Sequence, residues 1–158
     1  MKKSIVKGFS FGLTSAVITT LGIIVGLNAT THSKIVIIGG ILAIAIADAF
    51  SDALGIHIAE ESENKHQTKD LWLAALAAFL TKFIFALTFI IPILVFNNST
   101  AIIVSLLWGG VLITIFSYYL ACKQKIKAWK VIGEHLIIAL IVIIITHFVG
   151  QWINQIFI

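Results

Sequence analysis

The chain has no arginine, one cysteine, one proline and very little charge. All eleven basic residues are lysine, and only 11% of the 158 residues are charged, against roughly a quarter in a soluble domain. The lone Cys122 excludes an intrachain disulfide framework. Hydrophobic residues make up 59% of the sequence and the mean hydropathy is +1.08. One globular core of this size does not bury so much apolar material, so the composition excludes a soluble domain and indicates an integral membrane protein.

Five apolar segments have the length of membrane spans. Each approaches or exceeds the roughly 20 residues that a helix needs to cross about 30 Å of hydrocarbon. The short alternating segments typical of a membrane β-barrel are absent from the sequence. The sequence therefore predicts an all-α membrane protein, with a single transmembrane domain over residues 1–158 and five transmembrane helices. These spans cover about residues 10–28, 35–59, 71–96, 101–121 and 131–157. A cleaved signal peptide is the alternative for the first segment.

The lysines are unevenly distributed between the predicted connections. They concentrate before the first span, between the second and third spans, and between the fourth and fifth spans, whereas the other two connections hold only Lys34. The positive-inside bias then predicts a cytosolic N-terminus, and the cell membrane as the location in a prokaryote. The net charge of +4 comes from the lysines in these connections, which attract lipid headgroups. The expected partner is therefore a lipid bilayer and not a nucleic acid. The residues concerned are Lys2, Lys3, Lys7, Lys65, Lys69, Lys123, Lys125, Lys127 and Lys130.

Two spans carry a face of small residues. Such faces allow close backbone approach, which drives helix association in lipid. The first span therefore packs against another helix, either within the chain or in a second copy, and a homodimer is expected. The hydroxyls of Ser15 and Thr19, with that of Ser51 on the second span, would line a polar path. The two faces consist of Gly8, Gly12, Ser15, Thr19, Gly22 and Gly26 in the first span, and Gly40, Ala43, Ala47, Ser51 and Gly55 in the second.

Two carboxylates interrupt the second span. Asp48 and Asp52 lie one helical turn apart, about 6 Å along the axis. Each costs about 2.5–3.5 kcal/mol at the bilayer centre on insertion scales. A bound cation, a shared proton or a basic partner would lower this cost, and Lys82 on the third span is the candidate partner. A buried pair that only joins helices is one interpretation. The other is a metal site, whose hard oxygens suit Mn²⁺, Mg²⁺, Ca²⁺ or Fe²⁺.

More acids follow at the end of the same span predicted to be cytosolic. Glu60, Glu61 and Glu63 form either a solvated face or a mouth that concentrates cations before they enter the path. Glu134 and His135 begin the fifth span at the same level and would join that mouth. The predicted metal ligands are therefore Asp48, Asp52, Glu60, Glu63 and Glu134.

Four segments, in order, resemble the vacuolar iron transporter family. "SAVITTLGIIVGLNAT" (15–30) is similar to its first-helix motif, D-G-x-x-T-T-x-G-x-x-x-G-x-x-G-A, and "ADAFSDALGIHIAEESE" (47–63) to its second, A-D-x-x-S-M-A-x-G-E-Y-x-S-x-x-S-E. "LTFIIPILVF" (87–96) and "GEHLIIALIVIIITHFVG" (133–150) resemble later segments. The resemblance implies a homodimer that moves Fe²⁺ or Mn²⁺ out of the cytosol in exchange for protons. It also implies a path between the subunits, lined by helices one and two.

The chain departs from the family pattern at the ion site. Ser15 stands where the first-helix motif has Asp, Asp52 where the second has Met, and Ile56 where it has Glu. The Glu-rich insert between helices two and three is reduced to "NKHQTKD", as in the family's short members. One carboxylate is lost from helix one and one is gained on helix two. These exchanges predict a relocated site for a harder ion and make Mn²⁺ at least as plausible as Fe²⁺.

Other function classes are less well supported by the sequence. Asp48-x-x-x-Asp52 resembles the last part of the CDP-alcohol phosphotransferase signature, but the first half of that signature is missing. An intramembrane aspartyl protease would need aspartates on two facing helices, one of them within a G-x-G-D motif, and the sequence lacks that motif. The protein is therefore not expected to be an enzyme or to hold a prosthetic group, and the transported Mn²⁺ or Fe²⁺ is its metal. A non-transporting membrane scaffold, or a transporter relative that has lost its site, is the alternative function.

Overall fold

The computed structural model describes residues 3–63 and 68–157, which form five long helical spans without any strand in those two ranges. All five are long and apolar enough to cross a membrane, so the predicted all-α class and the prediction of five helices of spanning length are confirmed. Each begins or ends a few residues beyond the apolar run, because polar residues continue the backbone hydrogen bonding of the helix. The elements are α1 (Lys3–Thr31), α2 (Lys34–Ala43), a π-helical segment (Ile44–Asp48), α3 (Ala49–Ser62), α4 (Thr68–Thr88), α5 (Ile90–Val95), α6 (Asn98–Gln124) and α7 (Ala128–Phe157).

Helix α1 occupies the centre of the bundle. It packs most extensively against α4 and α7, and also touches α2 and α6. Its apolar side chains form the middle of a core to which every other span contributes. Helix α7 lies at the periphery: only 11% of its most apolar 18-residue stretch is buried, against 50% of that of the first span. The buried core side chains of α1 are Leu13, Val17, Leu21 and Ile24.

The small residues of α1 lie against other helices of the same chain. A Cβ atom added to Gly12 would lie 2.5 Å from the carbonyl oxygen of Ala78 in α4. One added to Gly22 would lie 3.1 Å from Val142 Cγ1 in α7, and Gly26 is close to the same helix. The face is thus covered by α4 along its first half and by α7 along its second. This packing fits the intrachain interpretation and leaves little of the face open to a second copy.

A π-helical segment divides the second span just before its carboxylates. A π turn takes up one more residue than an α turn, which rotates the following helix by roughly 100°. The predicted small-residue face is covered only at its first residue, Gly40, and is exposed from Ala43 onward, on both sides of this segment. A Cβ atom added to Gly40 would meet Leu27 of α1, whereas Ser51 is exposed and nothing lies within 4 Å of the corresponding position at Gly55. The second half of the face is therefore open in the single chain.

The third span breaks between α4 and α5, three residues before Pro92. Proline lacks a backbone N–H, and its ring opposes a continuous helix. The N–H of Phe89 bonds to the carbonyl of Ala86 at 3.1 Å instead of that of Phe85. The hydroxyl of Thr88 donates to the Phe85 carbonyl oxygen at 2.6 Å and accepts from Trp108 Nε1 at 3.0 Å. These bonds satisfy a backbone group that lipid does not solvate.

The two ends of the bundle differ. At the end that holds the connections His32–Ser33 and Phe96–Asn97, side chains bond to backbone carbonyls of other spans; we call this the pinned end. The opposite end, which holds most of the lysines, is called the lysine-rich end. The three bonds of the pinned end run from Lys34 Nζ to the Phe96 oxygen at 2.5 Å, from Asn98 Nδ2 to the His32 oxygen at 2.5 Å and from Asn154 Nδ2 to the Thr30 oxygen at 2.6 Å.

Candidate cation site

A lysine surrounded by oxygen atoms lies inside the bundle. Lys82 of α4 is completely buried and makes an ion pair with Asp48. Its Nζ donates to Asp52 Oδ2 at 2.6 Å and to Ser15 Oγ at 2.8 Å. An ammonium group has three N–H donors, and here each has an oxygen partner. We call these four residues the inner cluster.

The local structure explains how three helices meet at this point. The π-helical segment ends at Asp48, and Asp52 follows one turn later in α3. Both acids lie on the side of the second span that packs against α4, which carries Lys82. Helix α1 comes close enough to add Ser15 because Gly12 lets it approach the α4 backbone.

The inner cluster is negatively charged and open on one side. Two carboxylates and one ammonium leave a net charge of −1 when all three groups are ionised. The side chain of Asp52 is 15% exposed and that of Asp48 is 39% exposed, whereas Lys82 is at 0%. Asp48 therefore presents an oxygen-bearing side to the outside of the single chain, in the middle of a predicted span. One cation or one proton would balance the charge.

A second cluster of similar composition lies at the lysine-rich end. Lys7 of α1 donates to Glu60 Oε1 at 2.5 Å and to Glu63 Oε1 at 3.1 Å. Glu60 is nearly buried, with its side chain 5% exposed, while the side chains of Lys7 and Glu63 are 37% and 45% exposed. We call these three residues the outer cluster. It joins the start of α1 to the end of α3.

The five predicted metal ligands are divided between these places. Asp48 and Asp52 belong to the inner cluster, Glu60 and Glu63 to the outer one, and Glu134 is exposed on α7. Within residues 3–63 and 68–157, no three His, Cys, Asp or Glu side chains are grouped so as to hold a metal ion. Each of the two acid pairs is instead met by a lysine of a neighbouring helix. Lys65 and His66 of the intervening connection lie outside the described residues.

The predicted path-lining hydroxyls do not form one row. Ser15 faces Lys82, whereas the Thr19 hydroxyl donates to the Ser15 backbone oxygen at 2.7 Å. Thr19 also lines a cleft of about 430 Å³ between α1 and α7, together with Gly22 and Gly26. Ser51 is exposed on α3 beside the open face around Gly55. Of the three predicted hydroxyls, only that of Ser15 therefore belongs to the inner cluster, through its bond with Lys82.

Sequence reasoning missed the partner of Glu60 and Glu63. Lys7 is 53 residues from Glu60 in the chain, and the sequence indicates for it only a place among the lysines of the cytosolic side. The available clue was its position, just before the first predicted span and level with the acids at the end of the second.

No model of a known protein family and no curated protein sequence matches the chain. The resemblance to the vacuolar iron transporter family rests on the quoted motifs and stays a prediction.

Proposed function

We propose that this protein is a membrane transporter that moves a divalent cation, Mn²⁺ or Fe²⁺, out of the cytosol in exchange for protons. The observation that carries the proposal is the inner cluster, a negatively charged group of oxygens within the bundle that is open at Asp48. Isolated charges inside a membrane are costly, and where they occur they often mark ion or proton pathways. The inner cluster offers two carboxylates and one hydroxyl as hard oxygen ligands.

Lys82 acts in this proposal as the cation that occupies the site between transport events. Its ammonium group stands where a metal ion would find the oxygens of Asp48, Asp52 and Ser15. An arriving divalent ion replaces the ammonium as the partner of both carboxylates. When the ion leaves, a proton takes its place on the carboxylates. Binding and proton movement are thereby coupled through the same oxygens.

The proposed assembly is a homodimer formed by the open face of the second span. Asp48 is 39% exposed, and a carboxylate at mid-membrane is unstable against lipid. The small residues Ala47, Ser51 and Gly55 beside it are also exposed, which allows two helices to approach closely. Pairing two copies along this face would cover Asp48 with the partner and place the ion path between the subunits.

The proposed orientation places the lysine-rich end in the cytosol. The starts of α1, α4 and α7 and the ends of α3 and α6 lie at this end, which carries nearly all the lysines outside the spans. Positive charge is retained on the cytosolic side of a membrane. The cation then enters from the side of the outer cluster.

Flux measured in liposomes tests the ion site. Reconstituted protein is expected to pass Mn²⁺ or Fe²⁺ with a counterflow of protons, read with a metal-sensitive dye and a pH dye in the same vesicles. Asp48→Asn and Asp52→Asn should each abolish the flux because each removes half of the carboxylate pair. Glu61→Gln is the matched control, since Glu61 is exposed on α3, and should retain it. Unchanged flux in both aspartate variants would exclude the inner cluster as the site.

A non-transporting scaffold is the second candidate. It is favoured by the full satisfaction of Lys82, whose three donors all have partners within the chain, and by the lack of a three-ligand group in the described ranges. Here the inner cluster only joins α1, α3 and α4. The same liposomes distinguish the two candidates, because a scaffold passes no divalent ion at any proton gradient.

Cysteine crosslinking tests the dimer separately from transport. In a Cys122→Ser background, Ser51→Cys is expected to crosslink to its copy in the membrane. Gly22→Cys is expected to give no crosslink, because Val142 of α7 covers that position. A crosslink at Gly22→Cys and none at Ser51→Cys would instead place the dimer interface at α1.

A further inference from the structure

A cavity of about 710 Å³ opens at the lysine-rich end of the bundle. It is bounded mainly by the first turns of α1, the last turns of α6 and the second turn of α7. Its polar lining includes Lys7, Ser10, Lys123, Gln124 and His135. None of the described residues that line it is acidic. Its volume lies within the roughly 300–1,000 Å³ range of small-molecule sites.

The positive charge available to a ligand comes from the α6 and α7 side of this cavity. Lys7 already bonds to Glu60 and Glu63. Lys123 Nζ lies 5.0 Å from the centroid of the Tyr119 ring, and the described residues offer it no salt bridge. His135 is held through Nδ1, which lies 2.7 Å from Ser117 Oγ. Lys123 and His135 therefore both line the cavity without an acidic partner among the described residues, and Lys123 supplies its available positive charge.

The lining is polar at the rim, at Lys7, Lys123 and Gln124, and mixed farther in, where Thr14 and His135 lie among apolar side chains. From Lys7 to Thr14, α1 contributes seven residues of rise, about 10 Å. The deeper wall includes the rings of Phe11 and Phe116 and the side chain of Leu120. A small free anion would use only the basic rim. A molecule with an anionic head and an apolar tail would use both parts.

We propose that this cavity binds an anionic phospholipid, with its phosphate at Lys123 and the upper part of an acyl chain against Phe11 and Phe116. Basic pockets between membrane helices are sites for acidic headgroups, which each nearby lysine attracts by about 1 kcal/mol. The lysine-rich end lies at a membrane surface in either orientation of the chain. The inference goes beyond cation transport and does not depend on it.

Native mass spectrometry of the purified full chain in a neutral detergent tests this site. Phosphatidylglycerol and phosphatidylcholine are added at equal concentrations, and preferential retention of phosphatidylglycerol is expected. Lys123→Gln should lower that retention about fivefold, the equivalent of one lysine. Lys127→Gln makes the same charge change in the exposed α6–α7 connection and should retain the lipid as the native chain does. Lys123→Arg, which keeps the charge, should retain it too.

Three outcomes would overturn the proposal. Equal retention of the two lipids would show that charge at the cavity does not select the ligand. Equal loss in Lys123→Gln and Lys127→Gln would show a general surface attraction instead of a site. Displacement of phosphatidylglycerol by inorganic phosphate at the same concentration would replace the lipid with a free phosphate ion.

Discussion

The inner and outer clusters use the same chemistry in two different surroundings. Each places one lysine of a neighbouring helix against two acids that lie about one turn apart on the second span. The inner lysine, Lys82, is fully buried and bonds to a third oxygen, whereas Lys7 is 37% exposed at the end of the bundle. Water is available to Lys7 but not to Lys82. The comparison separates the effect of burial from that of composition.

Burial makes the inner cluster costly to form and costly to disrupt. Removing one partner of a buried ion pair leaves an uncompensated charge, which costs several kcal/mol. An ion pair near solvent contributes about 0–1 kcal/mol, because water stabilises each partner when the other is lost. The inner cluster therefore constrains which arrangement of α1, α3 and α4 is stable. The outer cluster links α1 to α3 with a smaller energetic consequence.

The largest effect is expected for Lys82→Met. The substitution removes the ammonium and leaves Asp48 and Asp52 facing each other, so the free energy of unfolding should fall by about 3–5 kcal/mol. Unfolding of the detergent-solubilised chain measures this loss. Combining Lys82→Met with Asp48→Asn and Asp52→Asn should recover most of the stability, because the variant then buries no charge. Failure of that recovery would mean that packing around the lysine stem, and not charge, dominates.

Lys7→Met is expected to have a smaller effect in the same assay. Lys7 and Glu63 are partly exposed but Glu60 is nearly buried, so the free energy of unfolding should fall by about 1–3 kcal/mol, which is less than for Lys82→Met. The two lysine-to-methionine variants form a matched pair, since both remove one ammonium and keep a long side chain. Equal losses in the two variants would contradict the assignment of the difference to burial.

The smallest expected effect is the response to salt. The Debye length falls from about 10 Å at 0.1 M to about 3 Å at 1 M ionic strength. The stability difference between the native chain and Lys7→Met should shrink over this range, because solvent-exposed charges are screened. The difference for Lys82→Met should stay constant. A salt response of the inner cluster as large as that of the outer one would indicate that water reaches Lys82.

The fold was largely predictable because membrane insertion leaves a strong signal in composition. Five apolar runs correspond to five long helical spans, and only their ends moved, by up to seven residues at the start of α1, since Lys, Thr and Ser continue a helix where hydrophobicity stops. The π-helical segment Ile44–Asp48 was not predictable. Its residues are as apolar as their neighbours, and the widened turn depends on the packing of the second span against α1 and α4.

The candidate site was predictable only in part. Asp48 and Asp52 stood out because carboxylates are rare in apolar spans, and Lys82 was a candidate partner because it was the one lysine within the third span. Which helix supplies a lysine to Glu60 is a matter of long-range packing that local patterns do not encode. Grouping Glu134 with these acids assumed that equal depth means contact. The position of Glu134 around the bundle was not available from the sequence.

The second span is held to the rest of the bundle at its beginning, which lies at the pinned end. The point of attachment is Lys34, whose Nζ donates a hydrogen bond to the Phe96 backbone oxygen. Asp48 lies about 21 Å along the span from that point, and Glu60 lies about 39 Å from it. A tilt of about 5° displaces Asp48 by about 1.8 Å and Glu60 by about 3.4 Å at these axial distances. The same small rotation would thus move Glu60, in the outer cluster, about twice as far as Asp48, in the inner cluster.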